Sequence, residues 1–146
     1  MSEVKGRIVV GVDGSEASLD ALRWASAQAK LTGATLEAVI SWVIPASYGV
    51  AFGGEDAIDW KDNASRALEE ALTTALGDGA AQVERRIEQG HPSYVLVEAS
   101  KNADLVVVGS RGHGGFAGLV LGSVSTYVVS HSECPVTVTR HHKDPA

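Results

Sequence analysis

A single cysteine, Cys134, rules out any disulfide within this chain of 146 residues, and such sparing use of cysteine suits a reducing compartment. Long apolar runs are missing too. Nothing approaches the ~20 residues a membrane helix needs, and Lys5, Gly6 and Arg7 break up the start before a leader-like stretch can form. Basic charge is scarce: the formal net charge is −6, which leaves no positive field to gather nucleic acid or anionic lipid. Arg85–Arg86 is the only adjacent basic pair ahead of the tail, and it reads as a solvated strand surface. His91, His131, His141 and His142 have no metal-ligand spacing with cysteine or carboxylate partners. Trp24, Trp42 and Trp60 are too scattered for a stacking platform and read as core or interface. There is no Gly-x-Ser-x-Gly elbow, and no Ser/His/Asp set follows from spacing. The expectation is a soluble cytoplasmic protein with neither a membrane nor a nucleic-acid partner. Cys134, just before Pro135, is expected to pack rather than react.

What the chain does contain is alternation. Its length fits one domain, 1–146, with 141–146 as a polar tail. Arg7–Asp13 is a β-branched run ending at Gly and Asp. Ser15–Leu31 follows with apolar residues at helical spacing, Asp13 or Ser15 as its cap and Gly33 past its end. Thr35–Val43 reads as a strand, Pro45–Ile58 as an irregular connection, and Asp59–Leu76 as a helix closed by Gly77. Gln82–Glu88 alternates as a strand near an edge, and a short helix starts at Pro92 and ends near Asn102. Leu105–Val108 suits a strand buried on both faces. Ser123–His131 is helical and Pro135–Arg140 is a last strand. Such alternation predicts an α/β fold: a single Rossmann-like open sheet of five mostly parallel strands with helices on both faces. Ligands of such sheets sit at the carboxyl ends of the strands where the strand order reverses. The first and fourth strands are the expected neighbours there.

The carboxyl end of the fourth strand opens into GSRGHGGFAGLVLGS, Gly109–Ser123. Glycines at 109, 112, 114, 115, 118 and 122 permit close backbone approach, and successive free N–H groups can form an anion-binding nest. The following helix adds unpaired N–H donors and a partial positive charge at its N-terminus. The segment is not a Walker A loop, because no Gly-Lys-Ser/Thr closes it. It fits Gly-x2-Gly-x9-Gly-Ser/Thr, with Gly109, Gly112, Gly122 and Ser123 at the fixed positions.

That pattern resembles the ATP-binding branch of the universal stress protein family. The resemblance extends to IVVGVDGSEAS, GATLEAVISWV, ADLVVVGSRGHGG and LGSVSTYVVSHSECPVTVTR, four separated segments in the same order. It implies strand order 3-2-1-4-5 and an ATP site. Asp13 and the main chain near Ser41 would meet adenine and ribose, while Gly11, Val12 and Val108 would line the base pocket. Gly109 and Gly112 would approach the ribose and phosphates, with Ser110, Gly114 and Gly115 beside them. Gly122 and Ser123, with Val124 and Ser125 behind them, would hold the terminal phosphates. Arg111 and His113 either neutralise phosphate charge or decorate an exposed loop. Ser41 replaces the larger apolar residue common at that position, so a looser adenine pocket is expected. Mg²⁺ or Mn²⁺ would bind through the phosphates, and a homodimer would form through the C-terminal strand. The resulting picture is a regulatory or signalling module in the stress response that shows ATP occupancy to a protein partner the sequence does not name. The alternative is a slow nucleotide hydrolase or nucleotidyl-transfer enzyme on a related fold.

Overall fold

The computed structural model of the chain describes residues 6–44, 53–111 and 121–140, with backbone alone for 53–58. Strands and helices alternate through them: β1 (Arg7–Gly11), α1 (Glu16–Thr32), β2 (Thr35–Trp42), α2 (Gly53–Leu76), β3 (Glu84–Gln89), α3 (Pro92–Ser100), β4 (Leu105–Gly109), α4 (Ser123–His131) and β5 (Val136–Thr139). The sheet runs β3-β2-β1-β4-β5, the order the sequence led us to expect. Every ladder in it is parallel.

Strand alternation splits the core into two layers. Ile8, Val10, Ala38, Ile40 and Val107 face α1 and α2, where they meet Leu22, Ala25, Leu68 and Leu72. Val9, Val39, Val106 and Val108 face the other way, onto Leu96 and Ala99 of α3 and Val128 of α4. The central strands are apolar on both sides because both sides are covered. Each fully buried leucine such as Leu22, Leu68 or Leu72 contributes roughly 1.5–3 kcal/mol relative to exposure.

Helix boundaries follow local chemistry. The Ser15 Oγ caps α1 by accepting the Ser18 N–H, and Gly33, at φ 75°, closes it with its N–H on the Ala29 carbonyl. Pro92 opens α3 behind His91, whose Nδ1 accepts the Ser93 N–H at 3.2 Å. The sequence reading needs correction in two places. Residues 53–58 belong to α2 and not to an irregular connection; 45–52 lie outside the described residues. β3 begins at Glu84 rather than Gln82, because Gly77–Gln82 forms a 3-10 turn that consumes the first residues of the apparent strand. That turn is held by Arg85, which donates to the Ala80 carbonyl at 2.8 Å and to the Val83 carbonyl, and pairs with Glu69 of α2. Arg86, on the next pleat, lies between Glu37 and Glu88. Trp24 and Trp42 are half-buried against the α1–α2 layer, and Cys134 packs at the edge of the α3–α4 layer.

Candidate functional site

β1 and β4 lie side by side, with Val10 opposite Val107. The chain leaves β1 toward α1 on one face of the sheet and leaves β4 toward α4 on the other. In open parallel sheets this divergence is what opens a crevice between the carboxyl ends of two strands, and the N-termini of α1 and α4 would border it here.

The two N-termini differ in chemistry. At α1 the chain satisfies itself. Gly14 takes φ 83°, a left-handed turn that suits glycine, and this turn brings Asp13 over the start of the helix. Asp13 Oδ1 accepts both the Ser15 N–H, at 2.9 Å, and the Ser15 hydroxyl. Ser15 Oγ in turn accepts from Ser18 N–H at 3.2 Å, and the Ser18 hydroxyl donates to the Ser15 carbonyl at 2.9 Å. This end is capped and carries a carboxylate, so it suits hydroxyl donors and repels anions. At α4 the cap residue is Gly122, at φ −75° and ψ 172°, and among the described residues no side chain caps the helix. The first intrahelical bond runs from Thr126 N–H to the Gly122 carbonyl. The N–H groups of Ser123, Val124 and Ser125 precede it, at the positive end of the helix dipole. Ser123 is exposed and Val124 half-buried.

Ser110, just after β4, and Gly122, at the start of α4, are tied to each other. Ser110 donates its N–H to the Thr139 carbonyl of β5 at 2.8 Å, and its own carbonyl accepts the Gly122 N–H at 2.6 Å. The buried Ser125 hydroxyl lies 3.0 Å from the same Ser110 carbonyl and 3.1 Å from that of Gly122. Gly109 has a role that glycine counting alone does not reveal. A Cβ there would lie 2.8 Å from the backbone carbon and oxygen of Ala17, so the residue lets β4 touch the first turn of α1. A Cβ on Gly11 would first meet the Leu96 side chain, at 2.9 Å.

The expected site residues are thus distributed as follows. Gly11, Val12 and Asp13 lie at and just beyond the end of β1, and Val108, Gly109, Ser110 and Arg111 occupy the same place on β4. The side chains of Val12 and Val108 are buried in opposite core layers, so only their main chain reaches the crevice. The Val12 N–H is bonded to the Val39 carbonyl at 2.9 Å, which carries the β1–β2 ladder up to the crevice. Ser41 sits near the end of β2, one strand away, in register with Glu88. Arg111 is exposed where the chain leaves β4. Gly112, His113, Gly114 and Gly115 lie outside the described residues. The sequence pointed to Ser15 as a cap and to Ser125 beside the phosphates, but not to the Ser18 hydroxyl or to the bond from Ser125 to the Ser110 carbonyl. Their signal was faint: small polar residues within the first turn after a helix cap.

Known proteins agree with this architecture. A universal stress protein of Mycolicibacterium smegmatis is 37% identical over 142 residues, covering 91% of this chain and 45% of that protein. The chain spans about half the length of the curated relatives it matches. Among solved structures, a universal stress protein in complex with cAMP is 32% identical, with a TM-score of 0.66 over 92% of this chain and 95% of its own. One from Archaeoglobus fulgidus in complex with dAMP is 24% identical, with a TM-score of 0.66 over 92% of this chain and 98% of its own. Residues 6–140, spanning the whole sheet and both helix N-termini of the crevice, match the Universal stress protein family, and the chain belongs to that family.

Proposed function

We propose that this protein binds ATP in the crevice between β1 and β4 and acts as a nucleotide-dependent regulatory module in the stress response. The observation that carries the reading is the contrast between the two helix ends. The Asp13 carboxylate at α1 accepts hydroxyl donors such as those of a ribose, and the glycine-capped end of α4 offers N–H donors to phosphate. A ligand with hydroxyls at one end and phosphates at the other matches that polarity. The solved relative bound to cAMP, 32% identical, supports a nucleotide as the ligand class. The intact Gly109, Gly112, Gly122 and Ser123 pattern favours ATP. In this reading Mg²⁺ or Mn²⁺ is held through the phosphates and neutralises charge that a chain of net −6 would otherwise repel.

The same reading includes a homodimer through β5 and a cytoplasmic location. Among the described residues β5 is an edge strand; its Thr139 carbonyl accepts from Ser110, just after β4, and the Pro135 carbonyl before it accepts from Val106 of β4. By strand alternation the N–H and C=O groups of Val136 and Val138 point out of the sheet, open to a second strand. Beside them a groove of about 400 Å³ runs between β5 and α1, lined by Asp20, Trp24, Thr137, Thr139 and Arg140. The Thr139 hydroxyl is buried there and makes no hydrogen bond within the described residues. A two-fold pairing of β5 strands would cover both features.

The test of the site is Gly122→Asp. The backbone at this position suits any residue, and an aspartate would cap α4 with its own carboxylate. The variant is expected to gain a few tenths of a kcal/mol in stability and to lose ATP affinity by at least about tenfold through charge repulsion. Calorimetric titration of both proteins with Mg-ATP, after unfolding fresh samples to identify any nucleotide they carry, measures this. Undiminished ATP binding by the folded variant would falsify the assignment.

A further inference from the structure

We infer that Ser125 is the positioning residue of this crevice: its hydroxyl does not meet the ligand but sets where the N-terminus of α4 stands relative to the end of β4. The inference rests on the nucleotide reading above and adds a role for a side chain that pattern matching placed among the phosphate contacts.

Ser125 is only 3% exposed and Ser110 only 8%, so both are screened from solvent. A serine hydroxyl has one proton to donate. Here two carbonyls compete for it, those of Ser110 at 3.0 Å and Gly122 at 3.1 Å. One carbonyl belongs to the residue just after β4 and the other to the cap of α4. The proton is therefore committed to the protein and holds those two residues together. The Gly122 N–H closes the same junction from the other side, 2.6 Å from the Ser110 carbonyl. Ser110 cannot drift in response, because its own N–H is fixed to the Thr139 carbonyl of β5 at 2.8 Å. β5, β4 and the α4 cap thus form one frame in which Ser125 is the cross-brace. The N–H groups of Ser123 and Val124 stand on that frame.

A cross-brace makes a distinctive prediction. Removing it should loosen only the end that faces phosphate, so the loss should grow with the number of phosphates on the ligand. A residue that merely stabilises the fold would affect all ligands alike. The experiment compares wild type, Ser125→Ala and Ser125→Thr, the last retaining the hydroxyl. Each is titrated calorimetrically with Mg-ATP, AMP and adenosine, and amide exchange is followed in the ligand-free proteins. Expected for Ser125→Ala are ATP binding weakened about tenfold, adenosine binding changed less than about twofold, and faster exchange at the Gly122 amide. The Val12 amide, bonded to Val39 in the β1–β2 ladder, should keep its protection. Ser125→Thr should recover much of the ATP affinity. Equal losses for ATP and adenosine, or an unchanged Gly122 amide, would overturn the inference. If wild type binds none of these ligands the nucleotide reading fails, and the exchange measurement still decides whether Ser125 braces the junction. Ser125→Cys, close in volume with a weaker donor, replaces the alanine variant should that one not fold.

Discussion

Adding one methyl group at each of two strand ends should separate two kinds of close contact. In Gly109→Ala the new Cβ lies 2.8 Å from the Ala17 backbone carbon, its oxygen and its Cβ. In Gly11→Ala it lies 2.9 Å from Leu96 Cδ1 and 3.3 Å from Cδ2. The distances are nearly equal, but the neighbours differ in how they yield. Leu96 can shift a rotamer, whereas Ala17 is backbone in the first turn of a helix fixed by its cap. Relief at Gly109 requires α1 or the end of β4 to move as a unit by several tenths of an ångström. Overpacking of this kind costs about 1–3 kcal/mol. Replacing glycine returns about 0.4–1 kcal/mol by restricting the unfolded chain where the backbone tolerates it, and neither glycine has a positive φ. Gly109→Ala should therefore lose about 1–2 kcal/mol net, and Gly11→Ala should stay within about 0.5 kcal/mol of wild type. For a domain of this size the former lowers Tm by about 5 °C. Urea unfolding at equilibrium reads both, as a shift of midpoint without a change of slope. Equal destabilisation by the two variants would refute the argument that rigidity of the neighbour decides the cost.

Other consequences follow from specific contacts. The Arg85 guanidinium donates to both carboxylate oxygens of Glu69, at 2.8 and 3.1 Å, and lowers that carboxyl's pKa. A carboxyl lowered in the folded state stabilises above its unfolded pKa, and that contribution fades as pH falls through the folded value. Because the pair is half-exposed, Glu69→Gln should cost under about 1 kcal/mol near neutral pH, and its deficit against wild type should narrow as pH falls below the ordinary glutamate range. A deficit undiminished in acid would count against the pair. Sedimentation should show a dimer at micromolar concentration, and Val138→Pro, which removes an outward N–H while sparing the bonds to β4, should give a folded monomer. A dimer that persists in this variant would exclude β5 pairing. Turnover of bound ATP should fall orders of magnitude below the ~10 s⁻¹ typical of enzymes, since N–H donors alone bind ground and transition states alike. Single-turnover rates near one per second that vanish in Ser123→Ala would instead indicate an enzyme.

The sequence by itself was enough for the α/β alternation and the parallel sheet, because periodicity and caps are local. Residues 8–10 and 105–108 are apolar and mostly β-branched without alternation, which is the mark of a strand covered on both faces. Ser15, Gly33 and Pro92 marked helix ends through contacts within a few residues. The glycine pattern from 109 to 123 suggested the proposed phosphate site for the same reason: backbone freedom is written in residue type. Local signals failed where they were mixed. Glycines at 53 and 54 concealed the start of α2, and Gln82 alternated like a strand although the 3-10 turn held it. Only the tertiary structure decided which helix end carries a side-chain cap among the described residues. Asp13, Ser15 and Ser18 look no more polar in sequence than Ser123 and Ser125, yet the first three close on one another while α4 has no side-chain cap among the described residues. Only in three dimensions does Gly109 face Ala17, 92 positions earlier in the chain, and Ser125 reach Ser110. Such contacts depend on how elements distant in sequence pack, and no window along the chain contains both partners.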